Sequence, residues 1–234
     1  MPEHAVVSEL EWIEARKRFL AKEKEFTRLR DQLNAERRQL PWVRVTKDYV
    51  FDGANGRETL ADLFERRGQL IVQHFMFDPS WSAGCSHCSF WADGYNGFVV
   101  HLAQRNVSFV AVSRAPFEKI RAYQQRMGWN FKWVSSSDNL FNYDYHVSET
   151  QEEKAKGQVY YNYDLVKPFG ERPGISVFRR TDDGAIYHTY SCYSRGLDMM
   201  NAAYHYLDLT PEGRNEQDLP FAQAWVRRHD EYGR

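Results

Sequence analysis

The chain has 234 residues, 42% hydrophobic and 15% aromatic, enough apolar material for one sizeable core. Its 31 Lys and Arg against 32 Asp and Glu give a net charge of −1, which argues against the clustered basic surface that a nucleic-acid partner needs. No run is long and apolar enough to cross a bilayer, the N-terminus has no signal-peptide pattern, and 3 cysteines make no disulfide framework. A reducing cytoplasm is the expected compartment.

From about Ser8 to Arg38 the sequence predicts one long, charged helix. Ser8 is the expected N-cap, and Glu9 and Glu11 suit the positive end of the helix dipole. Phe19, Phe26, Leu33 and Leu40 recur every seven residues with Leu29 between them, and Pro41 stops the helix. The arm is expected to pack on its own chain, or on a second copy as the dimerisation element of a homodimer. Val43–Phe51 is β-rich and runs into the turn Asp52-Gly53-Ala54-Asn55-Gly56; Thr59 is placed to cap a short helix over Leu60–Arg67.

Leu70–Phe77 reads as a buried central strand, followed by a loop from Asp78 to Gly84 and a helix through Arg105. Val107–Val112 is a second strand and Pro116–Met127 a second helix, a β–loop–α–β–α order that predicts parallel strands with right-handed crossovers. The tyrosine-rich stretch from Phe141 to Tyr163, with the charged run Glu149–Lys156 inside it, reads as an insertion covering about 137–170. Ile175–Arg180 and Ala185–Tyr190 form a hairpin, and Leu197–Leu207 a last helix. The expected organisation is an arm over 1–41, a domain over 42–210 and a polar tail over 211–234 lying loosely on the surface.

The chemistry concentrates in Gly84-Cys85-Ser86-His87-Cys88. A pair of cysteines two residues apart closes a small disulfide ring when the second lies in the first turn of a helix. Here the pair follows a buried strand and opens a helix, so the dipole and free N–H groups stabilise a Cys85 thiolate, the attacking species. Cys85 would attack and Cys88 would resolve the mixed disulfide. A partly protonated His87 would hold the thiolate further and make the site more oxidising. Trp81 is a candidate to cover the approach surface, with plain packing as the other reading.

Zinc is the competing reading, but there is no second cysteine pair, and His74, His87, His101 and Cys192 show no zinc-finger spacing. No metal or cofactor is expected. An inert packed pair is the third possibility. Pro173, directly before the strand over 174–180, is the candidate cis-proline that would expose backbone to a substrate, with an ordinary trans proline as the other reading; Arg172 would stand beside the thiolate, or serve as an exposed structural residue. Cys192, His188 and His205 are read as packed core residues.

The segments PWVRVTKDYVFDGANGRETLADLF, LIVQHFMFDPSWSAGCSHCSFWADG and YHTYSCYSRGLD resemble the thioredoxin-like superfamily. Specifically, they resemble a largely bacterial family of unknown function whose members are predicted dithiol–disulfide oxidoreductases. Tyr49 to Ser135 also resembles a peroxiredoxin core. The resemblance implies an α/β fold, a thioredoxin-like central mixed sheet flanked by helices, with Cys85 as nucleophile, Cys88 as resolving cysteine and Pro173 as cis-proline. The chain departs from thioredoxins in carrying Gly84 where they have Trp, and Ser86-His87 where they have Gly-Pro. Ser82 and Pro79 approximate the peroxiredoxin loop with the proline one residue short. The expected function is exchange of dithiol for disulfide with a protein or small-molecule thiol. The alternatives are a thiol peroxidase working at Cys85 and a non-enzymatic redox sensor or binding protein.

Overall fold

A computed structural model describes residues 4–233. The chain divides into two compact units, one ending at Pro41 and the other beginning at Trp42. The first is helix α1, Glu9–Arg37. It starts where the sequence puts it, because Ser8 and Glu11 form a capping box in which each side chain takes up the other's backbone N–H. No residue of α1 is buried, and Phe19, Phe26, Leu29 and Leu33 are all exposed.

The second unit runs β1 (Val43–Arg44), β2 (Val50–Gly53), β3 (Gly56–Thr59), β4 (Gln69–His74), α2 (Ser86–Ala92), α3 (Tyr95–Gln104), β5 (Val107–Ser113), α4 (Phe117–Arg126) and β6 (Lys132–Ser135). It continues with α5 (Phe141–Asp144), α6 (Gln151–Lys156), β7 (Val159–Tyr161), β8 (Asp164–Val166), β9 (Gly174–Arg180), β10 (Ile186–Tyr193) and α7 (Ala202–Leu207). One eight-stranded mixed sheet carries it, in the order β1-β10-β9-β4-β5-β6-β2-β3. β4 lies parallel to β5 and antiparallel to β9, and β10 returns antiparallel to β9. A dithiol segment leaving β4, a parallel β5 and a hairpin returning on the other side of β4 make the thioredoxin-like arrangement that the sequence resembles.

The two faces of the sheet bury different chemistry, as strand alternation requires. Leu70 and Val72 of β4 with Val110 and Val112 of β5 face a core completed by Leu63, Phe141 and Phe178. Phe109 and Ala111 face an aromatic core of Phe75, Tyr95, Tyr123, Trp129 and Trp133 under α2, α3 and α4. The insertion is thus anchored: Phe141 is fully buried against Tyr49 and Phe51, while β7 and β8 pair only with each other.

Several elements differ from the sequence reading. The helix expected through Arg105 breaks at Asp93-Gly94 into α2 and α3. Leu60–Arg67 shrinks to a 3-10 turn over Asp62–Phe64 whose N-cap is Ala61; Thr59 Oγ1 accepts the Asp62 N–H, and Glu65 and Arg66 end the turn with left-handed backbone, φ 50° and 69°. Ser194–Met200 is a 3-10 segment before α7 rather than the start of one helix. His205 is exposed, not a core residue; His188 is half-buried. The tail is not loose: Val226 is buried, Arg126 pairs with Asp230 and Glu231, and His229 pairs with Asp93.

Candidate active site

Both cysteines are fastened to one residue. After β4 the chain continues alongside β5, with Phe75 N–H donating to Val112 O and Ala115 N–H to Phe77 O. Between them Met76 accepts from the Cys85 N–H at 3.0 Å and donates its own N–H to Cys88 Sγ at 3.4 Å. Cys85 is the N-cap residue of α2 and Cys88 its third residue, so the pair shares the first turn. Cys85 is half-buried and Cys88 buried; all 3 cysteines are thiols in this structure. Cys192 packs with Ile175 and Leu197, as a small core residue does.

The two thiols are displaced in opposite directions. A hydrogen bond from the Cys88 thiol does most to hold Cys85 well below the ordinary thiol range; burial opposes it, while His87 and the Cys88 N–H assist. The same bond, together with burial, drives Cys88 well above that range. His87 Nδ1 lies 4.0 Å from Cys85 Sγ, and the contact with Cys85 raises the imidazole pKa against the effect of burial. Its Nε2 lies 3.3 Å from Gln223 O, and a carbonyl only accepts, so Nε2 carries the proton and Nδ1 is left to face the sulfur.

That carbonyl belongs to the tail, which supplies site residues marked by no motif or spacing. Glu216 collects the Tyr204 hydroxyl, the Gln223 N–H and the Trp225 indole N–H, all at 2.7–2.9 Å. Phe221 sets its ring edge-on to His87. Arg228 donates to Gly84 O at 2.7 Å and to the Tyr123 hydroxyl at 3.0 Å. Ahead of the cysteines, Arg114 bridges Asp78 and the buried Glu171, each at 2.6 Å, and donates to the Tyr143 hydroxyl. Burial raises the Glu171 pKa against that pairing.

The other predicted site residues fare unevenly. No peptide bond among the described residues is cis, so Pro173 is trans; it still lines the cavity beside Cys88. Arg172 is engaged by the buried Glu149 carboxylate at 3.1 Å and lies 4.8 Å over the Tyr161 ring. Trp81 is exposed in the loop and does not line the cavity. Trp91, three residues beyond Cys88 on the same helix face, lines it instead. Among the described residues no group of His, Cys, Asp and Glu is arranged to hold a metal ion, and no helix is long and apolar enough to cross a membrane.

A second polar cluster lies on the far side of β4. His74 Nε2 meets Ser176 Oγ at 2.8 Å, Ser176 meets Ser191 at 2.8 Å, and Ser191 meets His188 Nε2 at 2.7 Å. His74 is 1% exposed, its Nδ1 has no partner among the described residues, and burial with His188 nearby lowers its pKa to about 3.

Strand order and the cysteine pair at the end of β4 define a protein of thioredoxin-like fold. The chain belongs to the family described as "Bacterial protein of unknown function (DUF899)", which matches residues 1–232. Among solved structures it is similar to a mutant of peroxiredoxin Q from Xanthomonas campestris, 13% identical over 67% of this chain and 90% of that one, with a TM-score of 0.45. It is also similar to peroxidoxin BcpB from Mycobacterium tuberculosis, 13% identical over 70% of this chain and 94% of that one, with a TM-score of 0.44. A search of the curated proteins finds no match.

Proposed function

We propose that the protein is a thiol–disulfide oxidoreductase in which Cys85 is the nucleophile and Cys88 the resolving thiol. The opposite displacement of the two thiols on one helical turn carries this reading. Exchange needs one thiol ionised and exposed enough to attack, and a second that keeps its proton until the first is consumed.

The Cys85 thiolate attacks one sulfur of a protein or small-molecule disulfide, forming a Cys85–substrate bond and expelling the other half as a thiolate. The negative charge has then left Cys85, and with it the hydrogen bond that held the Cys88 proton. Cys88 yields that proton to the departing thiolate and attacks Cys85 sulfur, closing the Cys85–Cys88 disulfide and releasing the second thiolate. Two electrons have passed from the dithiol to the substrate. An external dithiol restores the reduced pair. Sulfur carries the electrons throughout, so no cofactor enters the scheme, and a reducing cytoplasm is the compartment that fits it. With Nε2 held by the Gln223 carbonyl, a second proton on Nδ1 gives His87 the positive charge that favours the thiolate and hence the reduced form.

The test is a thiol titration followed by mass spectrometry across a series of glutathione redox ratios. Reversible loss of two hydrogens mapped to Cys85 and Cys88, with Cys85 ionising first, is the expected result. Thiols that stay reduced throughout would sink the reading. Peroxide-driven formation of the same bond, far faster than oxidation of free cysteine, would instead mark a thiol peroxidase.

A further inference from the structure

The cavity beside Cys88 says more about the substrate than the dithiol does. It encloses about 280 Å³, below the ~300 Å³ at which drug-sized ligand pockets begin. Five segments wall it: the end of β4, α2, the turn before β9, the 3-10 segment after β10 and the tail. Such a recess admits a small molecule more readily than the loop of a folded partner. Met76, Trp91 and Leu197 give it an apolar lining.

Two polar features of its wall can serve a ligand. Gln73 is 2% exposed, yet among the described residues its buried Oε1 has no hydrogen-bond partner. An unmet buried acceptor costs about 1–3 kcal/mol, and an incoming N–H would remove that cost. Arg195 has a side chain 86% exposed and holds Asp198 at 2.9 Å, a pair too solvated to fix it firmly. Asp198 is also held by Arg214 at 3.2 Å, so Arg195 can leave without stranding a carboxylate. Arg227 is near enough to His87 to oppose its protonation, and Glu216 is committed to the tail. Of the charged lining residues, Asp198 is thus held by two guanidinium groups, which leaves Arg195 as the cation open to a ligand carboxylate.

We propose that this cavity binds low-molecular-weight thiols of the amino-acid or short-peptide class, and their disulfides, with the ligand carboxylate on Arg195, a ligand N–H on Gln73 Oε1 and its sulfur toward the dithiol. The assignment rests on the dithiol reading above and specifies its substrate. The exchange is that of the preceding section: one such disulfide and the reduced protein give two small thiols and the Cys85–Cys88 disulfide.

The experiment compares oxidation of the reduced full-length protein by glutathione disulfide and by uncharged hydroxyethyl disulfide. The wild type favours the former in kcat/KM, and Arg195→Gln lowers that preference about tenfold, as loss of a charged contact should. Gln73→Met, checked for its fold by circular dichroism, lowers it similarly; should it not fold, the exposed Arg195→Gln decides alone. Equal use of both disulfides by the wild type, or a preference untouched by Arg195→Gln, overturns the proposal.

S-methylglutathione, which cannot exchange, is titrated calorimetrically in parallel. Binding by the wild type that Arg195→Gln weakens about tenfold supports the assignment, and no binding overturns it. If the protein oxidises with neither disulfide yet binds S-methylglutathione through Arg195, dithiol exchange fails while the cavity assignment stands.

Discussion

β4 carries two buried polar sites of contrasting design. At its exit, Cys85 and Cys88 stand on one helical turn beside an open cavity, Cys85 held below the ordinary thiol range and Cys88 above it. At the last residue of the strand itself, His74 joins Ser176, Ser191 and His188 in a hydrogen-bonded row across β4, β9 and β10. Both put titratable groups in low dielectric. The difference lies in what burial acts on: at the dithiol a neighbouring donor outweighs burial and keeps a charge, whereas at His74 burial suppresses one. A buried polar group becomes reactive when its charged form is solvated by fixed neighbours, and structural when it is not.

That contrast can be broken experimentally. The largest effect is expected at Cys85→Ser: disulfide exchange falls at least about a thousandfold in stopped-flow assays, while the unfolding free energy in urea stays within about 1 kcal/mol of wild type. A large stability loss would make the pair a packing element instead.

Next comes acid. His74 has a folded-state pKa near 3, below the unfolded value, so the unfolded chain binds the proton first. The stability it contributes is complete above about pH 6.5 and is lost as pH falls toward 3, at up to about 1.4 kcal/mol per unit, or about 2 kcal/mol by pH 5. Burial lowers the His188 pKa too and adds in the same direction. Urea titrations at pH 7 and 5 measure the loss, and a flat profile would contradict the sealed row.

Ser176→Ala removes the bridge between His74 and Ser191 and is expected to cost about 1–2 kcal/mol in the same assay, with the Cys85 alkylation rate unchanged. The smallest effect is at His87. Because Cys88 is the main support of the Cys85 thiolate, Cys88→Ala should raise the Cys85 pKa more than His87→Ala does, and His87→Ala should slow alkylation at pH 6 only about threefold. The reverse order, read from ultraviolet thiolate absorbance, would make the imidazole the principal support.

Local signals made much of this legible from the residues alone. Ser8 with Glu11 marked the start of α1, the apolar run before Asp78 marked β4, and the cysteine spacing at a strand exit marked the dithiol. Trp91 was within reach of the same reasoning, since helical spacing from Cys88 puts it on the cavity face. The tail was not. It acts through the Gln223 carbonyl, the Arg228 guanidinium and the Glu216 carboxylate, groups that leave no periodic pattern. Arg172 shows the same limit: the Glu149 carboxylate, buried and needing a counterion, holds it, and no spacing in the sequence announces that pair. KWVS of β6 is too short, between aromatic and serine-rich flanks, to announce itself as a strand.

Gly84 decides how this motif can change. A Cβ there would come within 2.7 Å of the Tyr123 ring and 2.8 Å of the Phe75 ring, both fixed in the aromatic core. The tryptophan that thioredoxins carry at this place therefore has no room, and grafting their whole motif would break the core before it altered the chemistry. Under the proposed exchange, tuning that spares this core falls to Ser86, to His87 and to the tail that orients His87, not to position 84.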